Sequence, residues 1–327
     1  MMMREFGLAF NRYFEKWMFI IIPGSLVLGF IFASQLQPFI KSVPYLFAYV
    51  TLTMAIGCGL SQLRVVMKRP GIMALTFLIA HVLSPLVAYG LGTLAFGANS
   101  PYVVGLVLFT IIPIGVSTVL WVGMSGGSVP LMLAMVVLDS ALSPLVVPAG
   151  IHFFFDSAVE VKAGPIIMDL LVIIVLPTII GVALNQMSRG RIQNAVAPYT
   201  SPLSKFCFVA VVSLNASAIA PHLDKLKQDM ALLVPVVIVL VGICYAFGYI
   251  GTAGLRNYEQ QVTVSYATGM RNISLGIVLA LGYFSPLAAV PVVLSILIQQ
   301  PLATVHHYVL QKLNKNKTGE STAAHVR

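Results

Sequence analysis

Residues 266–276 read YATGMRNISLG, with one arginine, Arg271, inside a long apolar run. QVTVSYATG leads into it and ISLGIVLALGYF follows. No other charged residue stands between Glu259 and Lys312. A charged side chain at the centre of a bilayer costs about 2.5–3.5 kcal/mol on insertion scales, so an intramembrane arginine marks a functional site or a buried partner.

The flanks decide the class of fold. The chain has 327 residues, of which 58% are hydrophobic and 9% charged, with a mean hydropathy of +0.94. Soluble domains carry roughly a quarter charged residues. The apolar runs are continuous rather than alternating, so an all-α integral membrane protein is expected and a membrane barrel is not. Ten apolar segments have spanning length: approximately 17–36, 43–62, 71–96, 101–124, 129–155, 165–187, 204–221, 230–255, 258–284 and 286–311. Short Gly- or Pro-closed connections such as KRPG (68–71), GANSP (97–101) and SGGSVP (125–130) join them. A single transmembrane domain therefore occupies 1–327, and 312–327 reads as a polar cytoplasmic tail without fixed structure. Arg4, Arg12 and Lys16 precede the first segment, which lacks the A-x-A pattern of a cleaved leader. Cys58, Cys207 and Cys244 lie far apart in apolar runs and read as small core residues, not as a metal or disulfide set.

Charge fixes the expected orientation. Of the 19 Lys and Arg residues, Lys41, Lys162, Lys225 and Lys227 fall on one side and Arg271 within the membrane. The rest fall on the side of both termini, which is then cytoplasmic. The compact loops suit a bacterial inner membrane. The net charge of +9 is topological and does not indicate nucleic acid.

Ten spans divide into two halves of five, about 17–155 and 165–311. An odd number per half means that the second half enters inverted. VVLDSALSPL (136–145) in span 5 has a faint counterpart in VVLSILIQQPL (292–302) in span 10. Spans 4 and 9 are each interrupted, at IIPIGVST (111–118) and ATGMRNIS (267–274). Pro113, Gly115 and Gly269 are the predicted helix breaks. Broken backbone at membrane depth survives only where protein or a watery cavity covers it. The second half-helices would start near Ser117–Thr118 and Asn272–Ser274, turning partial positive charge towards the centre. Arg271 adds a full charge, and an anion is the natural ligand.

These features resemble the bile acid:sodium symporter family. TGMRN (268–272) resembles its E-x-G-x-Q-N stretch, and IIPIGVSTV (111–119) its C-C-P-G-G-T-x-S-N stretch. KRPGIMALTFLIAHVLSPLVAYGLG resembles its basic, Pro-bearing third span. The resemblance implies ten spans in inverted repeats, with spans 4 and 9 crossing at their breaks. It also implies a substrate at the crossing and spans 1, 2, 6 and 7 rocking against the rest. The sequence departs where the family holds sodium. The motif glutamate reads Ala267, the glutamine Arg271 and the Ser-Asn pair Thr118-Val119. Polar residues of span 5 read Met132 and Val136, and a span-3 glutamine reads Ala80. Arg271 would then supply permanently the charge that bound sodium supplies in relatives.

The expected substrate-binding residues are Arg271, Asn272, Thr118, Ser117 and Met270. Asp139, the one acid deep in a span, and His81 are the candidates for coupling or gating, with an Arg271–Asp139 pair expected. Gln299 and Gln300 should hydrogen-bond between helices. The expected function is secondary active transport of a small organic anion, a carboxylate, by alternating access in contact with membrane lipid. No cofactor and no metal are required, and the coupling ion is a proton, sodium or none. A sodium-coupled anion symporter is the alternative. A channel lacks support because the polar residues cluster at one depth. GMSGG (123–127) matches G-x-S-x-G, but no strand precedes it, so the chain does not read as an enzyme.

Overall fold

A computed structural model describes residues 2–68, 70–155, 163–255 and 257–324. Arg69, Lys162, Arg256 and Arg327, which enter the charge count, lie outside them. In hydrocarbon a backbone must satisfy its own polar groups, and the described chain does so as helix almost throughout. The first half runs α1 (Met2–Ile31), α2 (Ala33–Leu36), α3 (Val43–Ala55), α4 (Leu60–Met67), α5 (Pro70–Leu78), α6 (Ser84–Phe96), α7 (Pro101–Ile111), α8 (Thr118–Met124) and α9 (Val129–Phe155). The second runs α10 (Ala163–Leu170), α11 (Leu176–Met187), α12 (Arg191–Ile219), α13 (Leu223–Gly251), α14 (Tyr258–Gly269), α15 (Ile273–Tyr283) and α16 (Pro286–Ala324).

Among the described residues, six continuous rods are long and apolar enough to cross a membrane: Pro70–Phe96, Val129–Phe155, Ala163–Met187, Arg191–Ile219, Asp229–Leu255 and Pro286–Asn314. Two of them, Pro70–Phe96 and Ala163–Met187, pass through one π turn each, at Ile79–Leu83 and Leu171–Val175. The chain bends by 90° between Ile20–Ile31 and Ala33–Ala55. The segments 101–124 and 258–284 are not rods: α7 stops at Ile111 and α14 at Gly269. α16 continues to Ala324, past the point at which the sequence predicts an irregular tail.

The helices pack as two groups. In the first, α1 lies along α12, and α3 packs on α11 and α12. Small residues permit the close approach: a side chain on Gly29 would strike the Ser213 carbonyl, and one on Gly181 would sit 2.6 Å from the Ala55 Cβ. In the second, α7 lies among α6, α15 and α16, while α13 packs on α14 and α16. A cavity separates α1, α3 and α12 from the breaks in the second group.

Candidate functional site

The two breaks repair each other. Ile114 and Arg271 face one another as an isolated antiparallel bridge. The Gly115 N–H donates to the Met270 carbonyl at 3.1 Å, and the Asn272 N–H to the Pro113 carbonyl at 2.8 Å. Backbone groups freed by the breaks thus find partners without water. Gly115 permits this approach, since a Cβ there would lie 2.7 Å from the Arg271 carbonyl oxygen. Gln299 on α16 clamps the same residue. Its Oε1 accepts from the Arg271 N–H at 2.8 Å, and its Nε2 donates to the Arg271 carbonyl at 3.4 Å.

The Arg271 side chain is 2% exposed and turns away from solvent. Nη2 donates to the Ala80 carbonyl at 2.8 Å and Nη1 to the Ile112 carbonyl at 3.4 Å, while Nε has no partner among the described residues. The sequence explains why Ala80 needs this donor. In the π turn the Ser84 N–H serves Ile79, so the Ala80 carbonyl falls to the next donor along, and that residue is Pro85, which has none. Arg271 supplies the missing hydrogen.

Asp139 on α9 is not paired directly with Arg271, as the sequence had suggested. Its Oδ1 lies 2.8 Å from His81 Nε2, and its Oδ2 accepts the Ile114 N–H at 2.7 Å. His81 Nδ1 lies 3.1 Å from the Ile111 carbonyl. The π turn brings His81 over the end of α7, where imidazole and carboxylate together hold the broken segment. Asp139 is thereby closer to the backbone it supports than to the guanidinium.

The other side of the crossing is open. A cavity of about 200 Å³ is walled by Ser117, Asn272, Ser274 and Gln300 on one face and by Phe14, Phe47, Phe208 and Lys205 on the other. Arg271 contributes to the wall, with its guanidinium turned to the carbonyls described above. Asn272 caps α15 by accepting the Leu275 N–H at 3.5 Å. Gln300 Oε1 accepts from Trp121 Nε1 at 2.9 Å, which aims its Nε2 at Ser117 Oγ, 3.5 Å away. Lys205 Nζ donates to the Asn11 carbonyl at 3.1 Å and lies over the Phe14 ring. Of the expected binding residues, Arg271, Asn272 and Ser117 border the cavity. Thr118 and Met270 are fully buried behind it, with Met270 serving through its carbonyl. Sequence reasoning did not place Gln300 or Lys205 at this site; the adjacent glutamines of span 10 were the available signal.

Ser125 of GMSGG does meet a histidine: its Oγ lies 2.7 Å from His307 Nδ1 and 2.9 Å from the Tyr266 hydroxyl. The Gln311 amide nitrogen lies 2.9 Å from His307 Nε2 and makes that atom the acceptor. Nδ1 then carries the hydrogen and donates to Ser125, opposite to what activation of a nucleophile needs. In a neighbouring pair, Ser265 Oγ donates to the Tyr245 carbonyl at 2.8 Å and lies 2.7 Å from His306 Nε2.

The residues that the sequence resemblance sets at the family's sodium positions line no open space. Ala267, Met132 and Val136 are fully buried and apolar, whereas a hard cation wants several oxygens.

Two broken helices that close on each other beside a central cavity define a multi-pass helical membrane transporter. Residues 43–222 match the sodium bile acid symporter family, and the chain belongs to it. It is 34% identical over 294 residues to YbaS, an uncharacterized protein of Bacillus subtilis, covering 90% of this chain and 96% of that protein. It is 28% identical to the uncharacterized sodium-dependent transporter YocS of the same organism, over 81% of each chain. It is 26% identical to the probable chloroplastic sodium/metabolite cotransporter BASS1 of rice, over 84% of this chain and 66% of that one. Family and relatives point to a secondary transporter of a small molecule, not to an enzyme.

Proposed function

We propose that the chain carries a small organic anion, a carboxylate with an apolar body, by alternating access. The observation that carries this reading is the buried, permanently charged Arg271 behind a cavity whose near wall offers Ser117, Asn272 and Gln300. The guanidinium acts through its field, undamped in a low-dielectric setting, and the Gln300 amide through a direct hydrogen bond. The N-terminus of α15 adds partial positive charge. Phe14, Phe47, Phe208 and Leu120 suit an apolar substrate body. A cavity of about 200 Å³ suits a small metabolite.

In this reading the chain crosses the membrane ten times, as two inverted halves of five in which spans 4 and 9 are the broken pairs α7/α8 and α14/α15. Both termini are cytoplasmic, in a bacterial inner membrane. The cavity then faces the cytoplasm. On the opposite side the Tyr283 hydroxyl of the second group donates to Asp169 Oδ2 of α10 at 2.5 Å and helps keep that side shut. Transport follows from α1, α3, α11 and α12 rocking against the other group.

Relatives described as sodium-dependent favour a second reading, sodium symport. Proteoliposome uptake of a panel of small carboxylates, with sodium, with a proton gradient and with neither, separates the two. Saturable uptake and counterflow without sodium support the first reading, and strict sodium dependence supports the second. Unsaturable flux without counterflow indicates a pore and removes both.

A further inference from the structure

His81 is held between two acceptors. Nε2 lies 2.8 Å from a carboxylate oxygen of Asp139, and Nδ1 lies 3.1 Å from the Ile111 carbonyl. A neutral imidazole has one N–H and one lone pair. Beside an ionised Asp139 it satisfies one acceptor and turns the lone pair on the other. Both contacts are made only if the pair holds one more proton, either as imidazolium with carboxylate or as imidazole with carboxylic acid. Asp139 Oδ2 meanwhile accepts the Ile114 N–H at 2.7 Å. The proton therefore decides whether the end of α7 is gripped at Ile111 as well as at Ile114, one residue from Gly115 in the cavity wall.

We propose that His81 and Asp139 form the coupling site of this carrier, holding the proton that travels with the organic anion. The inference rests on the carrier reading above and assigns its coupling ion. Charge balance supports it. With the proton present, Arg271, His81 and Asp139 sum to one positive charge, which a bound monoanion cancels. Without proton and anion, Arg271 and Asp139 cancel each other. Within this trio the loaded and empty states are both neutral, while Lys205 on the facing wall keeps the same charge in each. Transport is accordingly an electroneutral symport of one proton with one monoanion. Arg271 stays protonated and sets the field in which the pair titrates.

Other ionisable groups do not take over this role. Cys244 of α13, beside Ser84, faces Arg271 from the buried side, and Lys205 of α12 stands across the cavity with its Nζ on the Asn11 carbonyl. Tyr266 of α14 is turned to Ser125, and Tyr245 of α13 to the Gln299 carbonyl. Phe77 covers the His81 ring on its own helix, at 4.9 Å between ring centres.

The test needs no substrate. Full-length protein in nanodiscs, labelled with 15N in its histidine rings, is titrated by NMR from about pH 5 to 9, the range in which histidine changes charge. The His81 signal is assigned by its loss in His81→Asn. The expected result is a change of protonation or tautomer at His81 within that range. Hydrogen exchange at residues 112–118 should rise as the proton leaves. A His81 pattern that stays fixed across the range, or a titration that leaves exchange at 112–118 unchanged, overturns the proposal. The carrier reading fails separately: native protein that titrates as described but moves no carboxylate keeps the proton site and loses the carrier.

Discussion

The two sides of the crossing use similar polar groups for different ends. On the buried side the strong groups are committed to protein partners, mostly backbone: Arg271 to Ala80 and Ile112, Asp139 to Ile114 and to the His81 ring, Gln299 to Arg271. On the cavity side Ser117, Asn272 and Gln300 are only half-buried and retain capacity. Removal of a buried, bonded charge leaves orphaned partners in low dielectric, whereas removal of a cavity group leaves water to replace it. The buried side should therefore govern stability and coupling, and the cavity side affinity.

Arg271→Gln should break this division most severely. It strips donors from two buried carbonyls and removes the balancing cation, so a loss of about 3–5 kcal/mol is expected, read as thermal unfolding in detergent. Gly115→Ala comes next. Its Cβ would meet the Arg271 carbonyl at 2.7 Å and pry the bridge apart, at about 1–3 kcal/mol and with loss of uptake. Gln300→Leu should leave stability nearly unchanged. It should raise the half-saturating concentration of a transported carboxylate about tenfold, since a hydrogen bond to a charged group is worth about 1.5–3 kcal/mol. Tyr283→Phe should have the smallest effect. Loss of the partly exposed bond to Asp169 changes stability by no more than about 1 kcal/mol. It should nonetheless increase labelling of a cysteine placed at Ala98, beside the Tyr283 side of the protein.

Much of the fold was legible because the bilayer makes its demands in composition. Apolar run length gives the rods, and Pro113 and Gly269 lie where α7/α8 and α14/α15 separate. Arg271 was conspicuous as the lone charge. Its partners were not legible, because they depend on a π turn that no periodicity announces. That turn leaves the Ala80 carbonyl without a donor and swings His81 over α7, so Asp139 meets an imidazole in place of the guanidinium. Gln299 and Gln300 were correctly expected to bond across helices. Their division of labour, one on the backbone and one on the cavity, follows from which face of α16 each occupies.

The claim that an anion is carried at a cationic crossing is tested most directly by counterflow. Proteoliposomes preloaded with an unlabelled small carboxylate from the panel are diluted into a trace of the labelled form without sodium. Transient accumulation of label that saturates with concentration, and that weakens in Gln300→Leu, is the expected result. Label that enters in proportion to concentration, unaffected by preloading with any carboxylate of the panel, would contradict it.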